Sequence, residues 1–364
     1  MSAAGPPQGA NQPPGAAQRP TGRPKGEHQS ALHEASSHQP PAWGDHTSAR
    51  VLALSGGVGG AKLALGLSAV LNAGALTVAV NTADDFEHLG LYVSPDLDTV
   101  LYTLAGLSDP VRGWGRAEES WNFMGALASL GGETWFALGD RDLAVHIERT
   151  RRLRAGESLT SIVADMACRL NVADRIVPMS DSPVRTVVHT RDGPLQFQDY
   201  FVRHRCAPVV TAVSFSGIAG TRPSPAFVHA IADPGLTAIV IAPSNPWLSI
   251  DPILAVPGVR EALERASIPV VAVSPIIGGK AVKGPTAKIM NELGIDVTPS
   301  AIAYHYRGLI DGLVIDESDA ADADRIGVPV AVARTLMNDL DDRRRLAHAV
   351  LAFAERLADT VRAA

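Results

Sequence analysis

The stretch "RVLALSGGVGGAKLALGL", residues 50–67, places four closely spaced glycines between an apolar run and an amphipathic one. Residues 51–54 are typical of a buried strand, and the residues after Gly60 are typical of a helix. A glycine turn between a strand and a helix often holds a phosphate, because the N–H groups and the dipole of the helix N-terminus favour an anion. We therefore expect this turn to bind phosphate through Gly56, Gly57, Gly59 and Gly60.

The glycine spacing departs from both common nucleotide motifs. The dinucleotide fingerprint needs a third glycine where Lys62 stands, and an acidic residue after the second strand, where the chain has Asn81. The Walker pattern needs serine or threonine after its lysine, but Lys62 is followed by Leu63. These departures disfavour a NAD-dependent dehydrogenase, and they leave a purely structural turn open as the alternative.

Composition excludes several other classes of protein. The chain has 364 residues, of which 46% are hydrophobic, and a formal net charge of −6, which argues against a nucleic-acid surface. No apolar run reaches the length of a membrane span. The two cysteines, Cys168 and Cys206, form no CxxC pair, so we expect neither a disulfide framework nor a zinc site, and we expect a cytoplasmic location.

From Arg50 onward, short β-rich runs alternate with helical patterns, which predicts an α/β fold with a mostly parallel, doubly wound, Rossmann-like sheet. Strands are expected at 50–55, 76–81, 174–178, 210–215, 237–242, 269–274, 312–316 and 328–333. Helices are expected at 60–72, 95–107, 116–130, 141–155, 158–171, 225–233, 257–267, 284–294 and 338–361. A helical insertion at about 110–172 and a β-hairpin within 184–204 interrupt the alternation.

Carboxylates cluster in "NTADDFEHLGLYVSPDLDTV", residues 81–100. Asp84 and Asp85 follow the second strand, at the edge where open α/β sheets bind ligands. Asp96 and Asp98 fall in the first turn of a helix that begins at Pro95, and residues two apart on a helix point about 200° apart, so they cannot both serve one site. Carboxylates beside a phosphate loop fit Mg²⁺, although Asp96 and Asp98 can also simply complement the helix dipole.

Two later loops each follow a strand and precede a helix, so we expect them at the same sheet edge as the glycine turn. The first, "IAPSNPWLSIDPIL", offers Ser244 and Asn245. The second, "VSPIIGGKAVKGP", offers Ser274, Gly278 and Gly279. Plain turn chemistry remains an alternative for each loop alone, but together they predict a cleft for a ligand with several phosphates or a large polar head.

At this point the motifs become recognisable as a set. "LSGGVGGAKL", "NTADD", "SPDLDTVLYTL", "LGDRDLAVHI", "PMSDSPV", "FQDYFV", "APSNPWLSIDPI" and "SPIIGGKAVKGP" occur here in the order and spacing of the CofD family. The chain thus resembles the 2-phospho-L-lactate transferases of coenzyme F-420 biosynthesis. The resemblance runs from about Arg50 to the C-terminal helix, which implies a CofD-like domain at 49–364.

The resemblance implies a Rossmann-like fold, a Mg²⁺ requirement and a homodimer. It implies transfer of a phosphorylated three-carbon acid from a guanosine-diphosphate-linked donor to the ribityl hydroxyl of FO (7,8-didemethyl-8-hydroxy-5-deazariboflavin), with release of GMP. The acid is 2-phospho-L-lactate, phosphoenolpyruvate or 3-phospho-D-glycerate, and the sequence does not distinguish them. Whether the donor arrives bound to the guanylyltransferase that makes it also stays open.

Carried over by motif, Asp98 matches the family aspartate that contacts FO, and it is the catalytic candidate. The resemblance favours Asp85 and Asp98 as metal ligands over Asp84 and Asp96. Some relatives carry a basic residue that is implicated in FO contact where this chain has Ala137, so either the backbone there or Arg141 would make that contact.

The glycine turn, Ser244 and Asn245 would hold the donor, with Ser274, Gly278 and Gly279 as further donor contacts. A non-catalytic nucleotide-sugar-binding regulator of the same superfamily is the alternative, because its glycine loop is similar. The segments "SPDLDT" and "LGDRD" favour the transferase.

The first 48 residues are rich in Pro, Gly, Ala, Gln and Ser and lack the apolar content to pack, so we expect residues 1–48 to be a disordered extension. A chain that begins near Thr47 should therefore keep its fold and its turnover. Thermal denaturation and activity assays of the shortened chain check this expectation. Aggregation or loss of turnover would contradict it.

Overall fold

Fourteen strands and eleven α-helices build the protein, whose computed structural model describes residues 46–282 and 284–363. The strands are β1 (Val51–Ser55), β2 (Leu76–Val80), β3 (Phe86–His88), β4 (Leu91–Val93), β5 (Arg175–Pro178), β6 (Arg185–Thr190), β7 (Gly193–Gln196), β8 (Val210–Ser216), β9 (Ala238–Ile241), β10 (Val270–Val273), β11 (Ile276–Ile277), β12 (Lys280–Ala281), β13 (Gly312–Asp316) and β14 (Val330–Ala333). The helices are α1 (Val58–Val70), α2 (Pro95–Leu104), α3 (Asn122–Ser129), α4 (Asp140–Arg154), α5 (Leu159–Arg169), α6 (Pro225–Ile231), α7 (Asp251–Ala255), α8 (Val259–Glu264), α9 (Thr286–Glu292), α10 (Pro299–His305) and α11 (Leu340–Ala363). None of the helices in this described range is both long and apolar enough to cross a membrane.

Seven strands form one fully parallel sheet in the order β14-β13-β10-β9-β1-β2-β5, which confirms the predicted α/β class. Helices cover both faces, so every residue of β1 is buried. Val51 and Ala53 join the apolar cluster of α1, α2, α5 and α11, whereas Leu52 and Leu54 join that of α6, α7, α8 and α10. The continuous apolar run of the opening motif is thus a central strand.

The direction of winding changes between β1 and β9. From β1 the chain adds β2 and β5 on one side, and from β9 it adds β10, β13 and β14 on the other. The loops after β1 and β9 therefore face each other across the crevice at the carboxyl edge of the sheet, where open α/β sheets bind ligands. This winding brings the glycine turn to Ser244, as the spacing of the motifs predicted.

Two predicted features need correction, and one hairpin was missed. The strand expected at 210–215 exists as β8, but it pairs antiparallel with β6 in a separate three-stranded sheet, β7-β6-β8. Most of β8 is partly or fully exposed, so it lacks the two-sided burial of a central parallel strand. The insertion is also shorter than expected, because α5 packs into the core beneath the sheet and leads into β5. The β3–β4 hairpin was not predicted, since each of its strands has three residues.

The expected hairpin within 184–204 is confirmed as β6 and β7, which pair antiparallel around Asp192. Of the expected extension, residues 1–45 lie outside the described residues. His46 is buried, and its Nδ1 lies 2.7 Å from Glu355 on α11. The boundary expected at 48 is therefore at least three residues too late, and a shortened chain that retains His46 keeps this contact.

The close crossing of α1 and α11 depends on Gly66. A Cβ at this position would meet the backbone carbonyl group of Arg343, with its carbon only 2.6 Å away. We expect Gly66→Ala to destabilise the protein by about 1–3 kcal/mol, because the two helix backbones would have to separate. Thermal or denaturant unfolding measures this difference.

Gly125 in α3 provides the matched control, since a Cβ there has nothing within 4 Å. Gly125→Ala should stabilise by up to about 1 kcal/mol through helix propensity. Equal effects of the two alanines would contradict the importance of the α1–α11 contact.

Candidate functional site

A cavity of about 730 Å³ opens at the sheet edge where the winding reverses. Its polar lining comes from the glycine turn, the loops after β2 and β9, and the start of α2: Gly57, Val58, Gly59, Asp84, Asp96, Ser244 and Asn245. Its aromatic lining comes from the insertion and from the segment after β7: Trp114, Trp135, Phe136, Phe197 and Phe201. One cavity therefore combines a helix N-terminus, two carboxylates and a set of flat apolar surfaces.

The glycine turn is packed closely against neighbouring segments. Gly57, the N-cap of α1, has φ −76° and ψ −116°, outside the helical and extended regions. A Cβ on Gly57 would lie 2.6 Å from Oδ1 of Asp96, and one on Gly59 would collide with the carbonyl oxygen of Pro243. Within the described part of the chain, no side chain caps α1 and no acidic residue stands in its first turn, so the helix N-terminus faces the cavity through its backbone.

The loop after β9 is bonded to this turn. Oγ of Ser244 accepts a hydrogen bond from the Gly56 N–H at 3.0 Å. Oδ1 of Asn245 accepts from the N–H groups of Trp247 and Leu248, which orients the side chain, while its Nδ2 is buried with no partner among the described residues. Ser274, at the end of β10, also lines the cavity. The structure thus brings these three predicted donor-side residues to one place.

Gly278 and Gly279 do not line the cavity. They form the tight turn between β11 and β12 with φ of +56° and +69°, and their N–H groups donate to the Asp319 carboxylate at 2.9 and 3.2 Å. The expectation that their amides contact the donor conflicts with this geometry, because those amides already have a partner. Instead, Ile277 and Val282 on either side of the turn reach the cavity wall.

Asp84 and Asp96 are the carboxylates of the cavity. Oδ2 of Asp96 accepts a hydrogen bond from Nδ2 of Asn81 at 3.0 Å, whereas Oδ1 of Asp84 is buried and has no hydrogen-bond partner among the described residues. Burial and the nearby charge of Asp96 raise the pKa of Asp84 well above its usual value. Burial raises the pKa of Asp96 to about 6, against the bond from Asn81. Two ionised carboxylates here are therefore costly unless a cation joins them.

Asp85 and Asp98, expected to be the metal ligands, lie away from the cavity lining. Burial raises the pKa of Asp85 to about 7, opposed by Arg185 and Arg149, and its Oδ2 accepts from Ser94 at 2.9 Å. Asp98 forms a two-pronged ion pair with Arg149, in which Nη1 donates to Oδ2 at 3.0 Å and Nη2 donates to Oδ1. The preference for Asp98 over Asp96 as the cavity residue is therefore reversed.

The rotation of α2 explains this reversal. The helix begins at Pro95 and its two acidic residues face different neighbours, as predicted. Its apolar residues Leu97, Val100 and Leu101 pack into the core shared with α1, and this packing turns Asp96 toward the glycine turn and Asp98 toward α4. Helical spacing shows that one of the two must face away, but it cannot tell which.

The two further residues expected at the FO contact are separated. Ala137 lines the cavity. Arg141 is exposed, lies outside the cavity lining, and pairs with Glu118 at 3.0 Å. The expectation that Arg141 reaches the ligand therefore conflicts with its placement, because its side chain emerges from the first turn of α4 beside an acidic loop.

The aromatic wall was not found by sequence reasoning. Phe197 and Phe201 stack with their centroids 5.3 Å apart, and the guanidinium of Arg203 lies 4.5 Å over the Trp135 ring. Trp114, Trp135 and Phe136 come from loops, whereas Phe197 and Phe201 lie on one short helical segment that was not predicted, so no pattern linked the two groups. One signal was present, because "GWGR", "ETWFALGD" and "LQFQDYF" concentrate aromatic residues in a chain with only 5% of them.

Asp84 and Asp96 fit a magnesium ion. Mg²⁺ prefers oxygen ligands and commonly takes one or two protein carboxylates, leaving positions for water and phosphate. The unpartnered oxygen of Asp84 and the raised pKa values of both residues indicate a site that a cation would stabilise. Asp98, Asp142 and His146 also lie within metal-ligand distance of one another, but Arg149 already supplies a positive charge to Asp98.

Sequence comparisons agree with the motifs. The profile of the family described as "2-phospho-L-lactate transferase CofD" matches residues 51–352. A phosphoenolpyruvate transferase of Kitasatospora aureofaciens is 40% identical over 318 residues, which cover 85% of this chain and 98% of that protein. A 2-phospho-L-lactate transferase of Methanosarcina mazei is 39% identical over 304 residues, covering 83% and 99%.

Structural comparison supports the same fold. The crystal structure of a UPF0052 family protein from Bacillus halodurans matches with a TM-score of 0.57 and 17% identity, covering 83% of this chain and 99% of that one. At this identity the match shows that the two proteins share a fold.

We expect Asp84→Asn to raise the melting temperature of the metal-free protein near pH 8, by about 2 °C or more, since it removes a poorly solvated charge. Because the folded pKa of Asp84 is raised, the native carboxyl takes up a proton as the pH falls, so the gain should fade toward pH 5. Mg²⁺ should stabilise the original protein and not the variant. Calorimetry measures all three.

Asp316 is the matched control, another buried carboxylate. Burial alone would raise the pKa of Asp316. Hydrogen bonds from the N–H groups of Ser318 and Thr335 outweigh burial, so the pKa of Asp316 is lowered. Asp316→Asn should therefore destabilise the protein at pH 8. A loss of stability in Asp84→Asn as well would show that the charge of Asp84 does not destabilise the metal-free protein.

Proposed function

Because the chain belongs to the CofD family of 2-phospho-L-lactate transferases, we propose that it transfers a phosphorylated three-carbon acid from a guanosine-diphosphate-linked donor to the ribityl hydroxyl of FO, releasing GMP. The observation that carries the proposal is the cavity in which the α1 N-terminus, two carboxylates and an aromatic wall meet. A diphosphate donor needs the first two features, and a deazaflavin acceptor needs the third.

The donor diphosphate fits the glycine turn. The first-turn N–H groups of α1 offer donors and a positive dipole end without a competing side-chain cap. The lack of side chains at Gly57 and Gly59 lets this turn pack closely on Asp96 and Pro243, which keeps the start of α1 at the cavity. Ser244 and Asn245 line the cavity beside this turn, and we assign them to the donor as well.

The acceptor ring fits the aromatic wall. Trp114, Trp135 and Phe136 come from the insertion, and Phe197 and Phe201 come from the segment after β7. Flat aromatic surfaces bind a flat heteroaromatic ring through offset stacking and edge contacts. Ala137, where some relatives carry a basic residue, offers its backbone and a small side chain to the same ring.

The reaction is an alcohol attack on phosphorus. The ribityl oxygen forms a bond to the phosphorus that bears the three-carbon acid, the bond from that phosphorus to the GMP oxygen breaks, and the alcohol proton passes to a carboxylate. We assign Asp96 as that acceptor, because it touches the glycine turn and its Oδ1 is turned away from the bond to Asn81. Mg²⁺, held by Asp84 and Asp96 when bound, offsets the charge of the diphosphate.

Three donors test this function directly. Purified protein is mixed with FO, Mg²⁺ and the guanosine-diphosphate-linked form of 2-phospho-L-lactate, phosphoenolpyruvate or 3-phospho-D-glycerate, and GMP and the deazaflavin product are measured by chromatography and mass spectrometry. We expect GMP release that requires FO. Donor binding without GMP release in all three mixtures would overturn the proposal and favour the non-catalytic regulator.

Asp96→Asn should lower turnover by about 10²-fold or more while the melting temperature is kept or raised, since it removes the charge that receives the proton. Asp192→Asn, in the exposed turn between β6 and β7, is the control and should keep full turnover. Full turnover in a folded Asp96→Asn protein would remove Asp96 from the mechanism.

A further inference from the structure

A buried ion pair, between Arg149 and Asp98, lies next to the cavity on the helical turn that carries Asp96. Arg149 is fully buried on α4, and both of its terminal nitrogens bond the carboxylate of Asp98 on α2. His146, one turn earlier on α4, places Nδ1 3.6 Å from the same carboxylate. None of these three side chains lines the cavity, so the proposed reaction does not use them directly.

Helix α4 also holds the chain segment that joins the two cavity carboxylates. Asp84 precedes the β3–β4 hairpin and Asp96 follows it. Oγ1 of Thr150 accepts from the Tyr92 N–H at 2.7 Å, and Nη2 of Arg154 donates to the Gly90 carbonyl at 2.8 Å. The hairpin and the first turn of α2 are thus bonded to consecutive turns of one helix.

The Arg149–Asp98 pair fixes orientation as well as distance. A guanidinium that bonds both oxygens of a carboxylate sets the direction of that side chain, whereas a single bond would leave it free to turn. Asp98 and Asp96 share one rigid helical turn, so the pair also fixes the direction in which Asp96 enters the cavity. The positive charge of Arg149 acts on Asp85 too, the neighbour of Asp84 in the chain.

We propose that Arg149 is a positioning residue for the cavity: through Asp98 it holds Asp96, on the same helical turn, in place to bind a divalent cation together with Asp84. Thr150 and Arg154, on the same helix, hold the β3–β4 hairpin that follows Asp84. This inference rests on the proposed function for the identity of the cation site. Partners that orient metal ligands from behind commonly change metal affinity or activity by about 10–100-fold when they are removed.

A purely structural role for the pair predicts something different. Replacing both members of a buried ion pair by apolar residues is often neutral for stability, whereas removing one member leaves a charge buried alone. The double variant Asp98→Leu/Arg149→Met should therefore fold, and it separates stability from positioning. Arg149→Lys keeps the charge but loses the two-pronged geometry.

Metal-free protein is titrated with Mn²⁺ and followed by electron paramagnetic resonance, without FO or donor present. We expect Arg149→Met and the double variant to bind Mn²⁺ at least about tenfold more weakly, and Arg149→Lys to fall between them and the original protein. GDP binding in the presence of EDTA should stay within about twofold, because the glycine turn is not bonded to α4 in the described structure.

Arg152→Met is the matched control. Arg152 lies on the same helix, is mostly buried, and pairs with Glu157 and Asp165 instead. Mn²⁺ affinity should be unchanged in this variant. Unaltered Mn²⁺ affinity in a folded Arg149 variant would overturn the proposal, and so would the absence of Mn²⁺ binding by the original protein. If neither variant that carries Arg149→Met folds, the Mn²⁺ affinity of Arg149→Lys provides the test. Mn²⁺ binding that depends on Arg149, with no GMP released from any donor, would overturn the proposed function alone.

Discussion

The close approach of three backbone segments at the glycine turn is the constraint on which the site depends. A Cβ at Gly56 would meet the Ser249 side chain, and one at Gly60 would meet Oγ of Ser55 and of Ser244. The turn after β1 is thereby packed against the loop after β9 and the start of α2. This contact places an uncapped helix N-terminus beside two carboxylates, and larger side chains would separate the features that make the cavity useful.

Local sequence patterns were enough to predict which strands, helices and loops surround this site. The apolar run before the glycines, the proline at the start of α2 and the serine-asparagine loop are short-range signals, and each lies where the alternation of strands and helices predicted. The position of these loops at one edge of the sheet follows from its topology, because the carboxyl ends of parallel strands lie at the same edge. Ser244 and the glycine turn could therefore be brought together from sequence alone, although they are 188 residues apart.

The orientation of individual side chains could not be predicted in this way. Whether Asp96 or Asp98 faces the cavity depends on how α2 rotates against α1 and α4, which is decided by tertiary packing. The amides of Gly278 and Gly279 are occupied by Asp319, a partner 40 or 41 residues away that no local motif indicates. The aromatic wall is built from loops and from one helical turn at residues 197–203, which are too short to show a periodicity in the sequence.

Two kinds of buried carboxylate stand within a short stretch of the chain, and their electrostatics separate their roles. Asp98 has a charged partner on both oxygens, so its burial is compensated within the fold. Oδ1 of Asp84 has no partner among the described residues and the pKa of Asp84 is raised, so its charge is less well compensated within the fold than that of Asp98. An uncompensated group lowers the stability of the empty protein, and it persists where function requires it. A raised pKa does not identify the cavity carboxylates by itself, because Asp85 also has a raised pKa and a buried Oδ1 without a partner among the described residues. Asp84 and Asp96 are identified by a raised pKa together with their place in the cavity lining.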